Sequence, residues 1–530
     1  MNLRRIYLTL SAGILLLASS TFFSACNFGD LNEDPTKSTD MDPNLLLPTI
    51  QMYLTNDFQE WHRHMIYPGG FVQQWCGDWG TVEYGCLGIK NDSYMAELWL
   101  RRYTRLSKNL ADIVERTEKD QSLTNINAIG RIMRVLVFHQ LTDLYGDIPY
   151  FDGGYGYYSG TLKPQYDTQE KIYNDFFLQL ERAHQQLDPS GDAIPYDHFY
   201  DGDIHKWIKF CNSLRLRLAM RLVKVNPQKA KQEAEIAVRN GVMESNEDMC
   251  KIAHENQANP SSGPGKGNGV SNRFRADRTY RYTSKLIEYM ESTGDPRITI
   301  YGGCYLDDKD YTDITAKVYA LKGSYSKMAR PTARFDWEQN PADIVLQVNG
   351  QNVTVAGKYQ YLQPSKWFMA LDAPYVHMSY AEVEFLLAEA KLRGWDIPQT
   401  VSAHYEKALR ASVEYLTVYG APPVDAPVID RFVSDNQLVS GREMEQINMQ
   451  LWVGSVLNPF EAFANWRRTN IPEIQFLNYK PASNQSGGMT PRRLLYPVEE
   501  QVKNRNNYYE AISRVPGYDW TVGVWWDVSN

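Results

Sequence analysis

The sequence predicts a mostly α-helical protein, an irregular tetratricopeptide-like array of helical pairs with long loop-rich insertions and minor β structure. Three observations predict it. Several segments place apolar residues at helical spacing, these segments sit in adjacent pairs with short connections, and the pattern stops between about 241 and 378. Paired helices that stack bury faces that no single pair can cover. The first pair is 92–118 with 122–145, the second helix carrying Ile126, Ile129, Met133, Leu136, Leu141 and Leu144. Next, 167–187 opens with Asp167 and Glu170 at capping-box spacing and aligns Ile172, Phe176, Leu180, Ala183 and Leu187. Its predicted partner, 203–223, aligns Ile204, Trp207, Cys211, Leu214, Leu218 and Leu222. The last pair joins 379–393, capped by Ser379 and Glu382 and stopped at Gly394, to 399–417 with Val401, Tyr405, Ala408, Leu409 and Leu416 inward. Asn458-Pro459 followed by Glu461 starts one more helix. From 241 to 378 the chain is rich in Gly, Pro, Asn and aromatics, with one helix about 283–292 and a strand-like run from Ile344 to Val348. A second irregular stretch spans 470–493. Long structured insertions usually carry function rather than stability.

The N-terminus has its own pattern. Arg4 and Arg5 precede an uncharged stretch from Ile6 to Ala25 that ends Phe23-Ser24-Ala25-Cys26. A basic start, an apolar run and small residues before the break mark a secretory signal. A Cys directly after them resembles the bacterial lipobox, with Phe23 where Leu is usual. The expected organisation is therefore a cleaved signal at 1–25, lipidation at Cys26, an acidic tether over 26–42, and a helical domain over 43–530. Loop-rich insertions interrupt that domain at about 67–91 and 241–378. The competing reading is a signal anchor, since about 20 apolar residues can span a bilayer. Lipid chains would instead hold the protein on a membrane surface.

Removing the signal leaves 53 basic residues (55 less Arg4 and Arg5) against 63 acidic, a formal −10. An acidic body argues against nucleic acid or anionic lipid as a partner. Beyond Cys26 stand Cys76, Cys86, Cys211, Cys250 and Cys304, an odd number without a CxxC pair or His-Cys cluster. Cys76 and Cys86 flank a Gly-rich loop, and either pair in an oxidising compartment or stand as two small apolar residues.

Signatures of chemistry are weak. GxSxG, HExxH and a complete P-loop do not occur. Gly263 to Gly269 is Gly-rich, but no strand precedes it and Lys266 is misplaced, so it reads as a flexible surface loop. His62 and His64, two apart, point in different directions on a helix. Asp307, Asp308, Asp310 and Asp313 lack the Gly and terminal Glu of a calcium loop and read as a solvated turn. Carboxylate pairs for glycoside hydrolysis are defined by spatial separation, which sequence does not give. No catalytic residue, cofactor or metal is predicted.

Binding is better represented. The chain holds 35 Tyr and 13 Trp, side chains that offer flat apolar faces with a polar handle. Trp75, Trp79 and Tyr84 lie among glycines in the 67–91 insertion, where core burial explains aromatics less readily. Arg278, Tyr280 and Trp337 lie in the second insertion. Sugar rings lay C–H faces on aromatic rings, and their hydroxyls pair with planar groups such as Asp78, Asn272 and Arg278. The predicted ligand contacts are therefore Trp75, Asp78, Trp79, Tyr84, Arg278, Tyr280 and Trp337. The alternative is that half or more of these aromatics pin their own loops to the helices. Trp525 and Trp526 read as packing residues.

Several motifs, in order, resemble one family. Leu141 to Tyr150 (LTDLYGDIPY) resembles the segment where an early helix of SusD/RagB-type lipoproteins breaks into a YGD-[IV]-P turn. WIKFCNSLRLRLAM at 207–220, SYAEVEFLLAEAKLRG at 379–394 and EQINMQLWVGSV with EAFANWRRTNIP at 445–472 are similar to its later helices. RRLLYPVEEQVKNRNNYYEAI at 492–512 and Val524 to Asp527 resemble its closing segment. The resemblance implies a non-enzymatic nutrient-binding lipoprotein on the outer face of a Bacteroidota outer membrane. Such a protein acts as a lid over a TonB-dependent, SusC-like transporter and captures glycans or sometimes peptides. A lipid-anchored hydrolase is the contrasting class.

Overall fold

The computed structural model describes residues 41–76, 84, 85, 88–260, 263–276, 280–304, 342–348, 350–356, 361–474 and 484–528. The fold is mostly helical, as the periodicity predicts. Asp92–Arg101 passes through a π-helical turn, Arg102–Ser107, into Lys108–Thr117, which packs on Thr124–Tyr145. Thr124–Tyr145 also packs on Gln169–Gln186, and that helix meets Ile204–Arg221. In the C-terminal half, Tyr380–Leu392 pairs with Val401–Glu414 and also contacts Glu443–Gly454, which leads to Pro459–Thr469. Ile204–Arg221 touches Tyr380–Leu392 and so joins the two sets. Among the described residues no helix is long and apolar enough to cross a membrane.

Two sequence expectations are corrected. The main partner of Ile204–Arg221 is Pro227–Arg239, which periodicity did not reveal. Its buried positions are Ala230, Glu233, Ala234 and Ala237, side chains too small or too polar to write an apolar stripe. Nor do Asp167 and Glu170 form a capping box, since Thr168 occupies the N-cap and makes no side-chain cap bond. The Asp167 carboxylate instead accepts from the backbone N–H of Tyr150 (3.0 Å) and Phe151 (2.9 Å). The cap comes from across the fold: Asp147 Oδ1 accepts from Gln169 N at 2.9 Å. Gly146, at φ +86°, supplies the turn that puts Asp147 there.

Among the described residues, four antiparallel two-stranded ladders complete the fold. Strands β1 (Trp75–Cys76) and β3 (Arg281–Tyr282) pair, as do β2 (Cys250–Ile252) and β8 (Tyr375–Met378). The other two ladders are β4 (Gly302–Gly303) with β7 (Gln363–Pro364), and the hairpin of β5 (Ile344–Val348) with β6 (Gln351–Val355).

The motifs that carry the family resemblance are mostly a buried charge network. Asp143 accepts from Tyr173 Oη (2.5 Å), Trp526 Nε1 (2.8 Å) and Arg221 Nε (3.3 Å), while its backbone carbonyl accepts from Arg467. Arg217 forks onto Glu382 at 2.7 and 2.8 Å, so Glu382 serves an ion pair while Ser379 caps its own helix. Glu461 pairs with Arg221 and receives His139 at 3.3 Å. Arg468 binds Glu389 in bidentate fashion, and both side chains are fully buried. Charges buried this deeply persist because each has a partner. Trp526 is thus a packing residue, buried and lying 4.6 Å beneath the Arg467 guanidinium.

Candidate functional site

Parts of the two loop-rich stretches meet in one small platform. The segment Val72 to Cys76 is fixed to the Glu443–Gly454 helix: Trp452 Nε1 donates to Val72 O (3.0 Å) and Gln74 Nε2 to Trp452 O (2.6 Å). Thr283 then clasps the segment from the other side, its N–H donating to Gln74 O (3.2 Å) and its hydroxyl to Gln73 O (2.5 Å). Pairing of β1 with β3 continues into the β4–β7 ladder, since Tyr282 N donates to Leu362 O (3.2 Å) and Tyr282 Oη to Tyr301 O (2.7 Å). Cys304 Sγ reaches Tyr361 O at 3.7 Å. Burial pushes the Tyr361 hydroxyl above its ordinary pKa; the nearby Arg281 guanidinium opposes that shift and Cys76 adds to it. Residues 77–83, 277–279, 305–341 and 357–360 therefore begin or end at four neighbouring points: Cys76, Tyr280, Cys304 and Tyr361.

The predicted contacts divide accordingly. Asp78, Trp79, Arg278 and Trp337 lie outside the described residues, as do Cys86 and the aspartates of 307–313. Trp75 and Tyr280 are corrected. Trp75 is 0% exposed, donates Nε1–H to Val456 O at 2.9 Å, and sits with ring centroids 4.4 Å from Tyr282 and 5.0 Å from Phe274. Tyr280 is 1% exposed against the same cluster. Both hold the platform to the core and present no stacking face to solvent, so the bland alternative holds for these two. Tyr84 is half-buried, edge-on to Tyr94 with centroids 5.0 Å apart. Asn272, in the helix Gly269–Ala276, is committed locally, donating to Asn268 O (2.8 Å) and accepting from Asn259 N (2.8 Å).

The Gly263–Gly269 run also departs from expectation, being packed down rather than flexible. Asn259 Nδ2 donates to Gly267 O (2.7 Å) and Asn268 N to Leu371 O (2.8 Å). A Cβ on Gly267 would lie 2.1 Å from Gln257 O, so glycine is there for close approach. Among the described residues no three His, Cys, Asp or Glu side chains gather as metal ligands. His64 lies buried against Trp61 and Phe460, and burial lowers it well below its ordinary pKa, with Arg102 adding to the shift.

The platform is not legible in the sequence. The strands that join it, Trp75–Cys76, Arg281–Tyr282, Gly302–Gly303 and Gln363–Pro364, are two residues long, too short for any periodicity to register, and Cys304 and Tyr361 lie just outside them.

Comparison with known proteins places this geometry in context. The family model described as "Starch-binding associating with outer membrane" (SusD-like) matches residues 35–497. A solved chitin-binding protein is similar at 36% identity and TM-score 0.79, over 92% of this chain and 100% of that one. A SusD-like structure from Bacteroidetes AC2a is similar at 30% identity and TM-score 0.83, with the same coverage. A chitin-binding SusD homologue from Flavobacterium johnsoniae shares the fold, at 22% identity and TM-score 0.69, over 92% of this chain and 99% of that one. No curated protein matches the chain.

Proposed function

The chain belongs to the SusD-like family, and from that premise we propose that it is a surface-exposed lipoprotein that binds glycan and delivers it to a partner TonB-dependent transporter. The observation that carries this reading is the meeting of Cys76, Tyr280, Cys304 and Tyr361 on one hydrogen-bonded platform, in a chain whose relative at 36% identity is named for chitin binding. Chitin-type oligosaccharide is the proposed ligand class. Its acetamido sugars combine C–H faces with amide donors and acceptors, which suits Trp79, Trp337 and Tyr84 for stacking and Asp78 and Arg278 for hydrogen bonding.

Calorimetry against chitin oligosaccharides, starch oligosaccharides and peptides tests the proposal. Trp79→Ala is expected to weaken glycan binding by about 1–3 kcal/mol, the range for truncating a buried aromatic contact, with little change in melting temperature. Equal affinity for wild type and variant would remove Trp79 from the site. Binding of peptides alone would reassign the ligand class, and release of shortened products would indicate a hydrolase.

The proposed organisation is a signal at 1–25, lipid on Cys26, a tether to 42 and the binding domain beyond. Cys26→Ala should move the protein from the outer-membrane fraction to the soluble fraction. Detergent extraction of the wild type should co-purify a large barrel at near-equal stoichiometry. Retention of Cys26→Ala in the membrane, with the apolar N-terminus still attached, would establish a signal anchor instead.

A further inference from the structure

A second cleft, sharing no residue with the loop platform, opens to solvent beside the Pro149–Gly154 turn. It encloses about 440 Å³, within the range of roughly 300–1,000 Å³ that small-ligand sites occupy. The other walls are the helix Asp92–Arg101 with its π-helical turn, the loop over 156–164 and the short helix Glu500–Lys503. Hydrogen bonds hold these walls in place. Tyr103 Oη donates to Pro149 O (2.6 Å), Tyr158 Oη to Asp112 Oδ1 (2.5 Å) and Asn504 Nδ2 to Pro164 O (2.8 Å). Gly154, at φ +89°, lets the turn press on its neighbour, since a Cβ there would lie 2.2 Å from Ser107 O.

Two cleft-lining side chains on the loop are almost fully in water: Tyr157 is 91% exposed and Leu162 89%. The loop is pinned at Tyr158 and Pro164, so their exposure is built into the fold. Covering such a ring with the C–H face of a ligand removes apolar surface from water. Polar groups line the same cleft. Lys108, Asp152, Glu500 and Lys503 all border it, and among the described residues none of the four forms an ion pair. Glu500 accepts from the Tyr166 hydroxyl on one oxygen (2.7 Å), which leaves the other for the cleft. Two ammoniums and two carboxylates cancel, so the cleft favours neither a cation nor an anion. What it offers is donors and acceptors together.

We propose that this cleft is a second glycan site, taking a neutral oligosaccharide. One sugar face lies on Tyr157, and hydroxyls donate to Asp152 and Glu500 and accept from Lys108 and Lys503. The helix that brings Trp99 to the cleft also carries Tyr94, against which Tyr84 packs. Five helical residues rise about 7.5 Å, so a glycan held at the first insertion has the second site close by. The inference rests on the glycan reading of the chain but assigns a different place, and the test keeps the two apart.

Full-length protein in detergent is titrated with the N-acetylglucosamine tetramer and with maltotetraose by calorimetry, and hydrogen exchange locates the binding. Amides of 153–162 and 500–504 are expected to exchange more slowly with at least one of these neutral tetramers. In a Trp79→Ala background, adding Tyr157→Ala should weaken the remaining affinity at least about tenfold, the scale of an aromatic truncation at an interface. Its melting temperature should not fall, because the ring is exposed. The cationic glucosamine tetramer and the anionic galacturonate tetramer should each protect these amides less than the neutral sugars do. No protection of 153–162 by either neutral tetramer, or equal affinity with and without Tyr157→Ala, would overturn the second site even where Trp79→Ala reveals binding at the platform. Loss through Tyr157→Ala with none through Trp79→Ala would uphold the cleft and remove the platform instead. Stronger protection by a charged tetramer, or by trialanine, would overturn the assignment to a neutral sugar.

Discussion

Replacing Trp75 with alanine is expected to lower folding stability by about 3–5 kcal/mol, the range for emptying an aromatic site in a core. Its ring is fully enclosed by Phe274, Tyr280 and Tyr282. Collapse into the vacated space is limited because the backbone of Gly69 already lies against the ring, a Cβ there falling 3.2 Å from Trp75 Cδ1. The lost indole N–H leaves Val456 O without its donor, adding a desolvated carbonyl. Trp75→Phe keeps most of the ring contacts and loses the hydrogen bond, so it should cost substantially less. Urea midpoints and melting curves measure both. The contrast with Trp79→Ala is the useful one: Trp75 should move stability strongly, and glycan affinity of the remaining folded protein only as far as the platform loosens. An unchanged midpoint for Trp75→Ala would mean that this ring is not part of the core.

Arg468→Met is expected to cost about 3–5 kcal/mol at neutral pH, the penalty for stranding one member of a buried ion pair. Glu389, itself 0% exposed, would keep only Arg393 (2.7 Å) and the Asn448 amide (3.3 Å). The same pair predicts the acid limb of the stability curve. Burial by itself would raise the Glu389 carboxyl, but Arg468 and then Arg393 hold it at about 2. A folded pKa below the unfolded value of 4.5 contributes stability that is complete above 4.5 and lost as pH falls toward 2. The contribution is about 3 kcal/mol at roughly 1.4 kcal/mol per pKa unit. In Arg468→Met burial gains weight, so this limb should flatten or reverse between pH 5 and 2. Urea midpoints across that range distinguish the two slopes. Glu389→Met added to Arg468→Met should recover part of the loss, because an apolar pair of similar volume replaces the stranded charge. Parallel acid limbs in wild type and Arg468→Met would show that this pair does not set the pH dependence.

The sequence by itself determined the helical class and most of the helices, because long amphipathic segments repeat a 3.6-residue signal that local physics imposes. It also determined the family, through motifs such as YGDIP and RRTNIP whose residues lie close together in the chain. Tertiary structure decided what those residues do. Asp143, Glu389 and Arg468 read as ordinary charges on helices until the fold places Arg221 against the first and joins the other two. Pro227–Arg239 shows itself as a core helix only when its alanines meet a neighbour. Trp75 sits in glycine-rich sequence that suggests exposure, yet Val456, Phe274, Tyr280 and Tyr282 arrive from distant positions to bury it. Burial is set by which segments converge, and composition along a loop does not encode convergence.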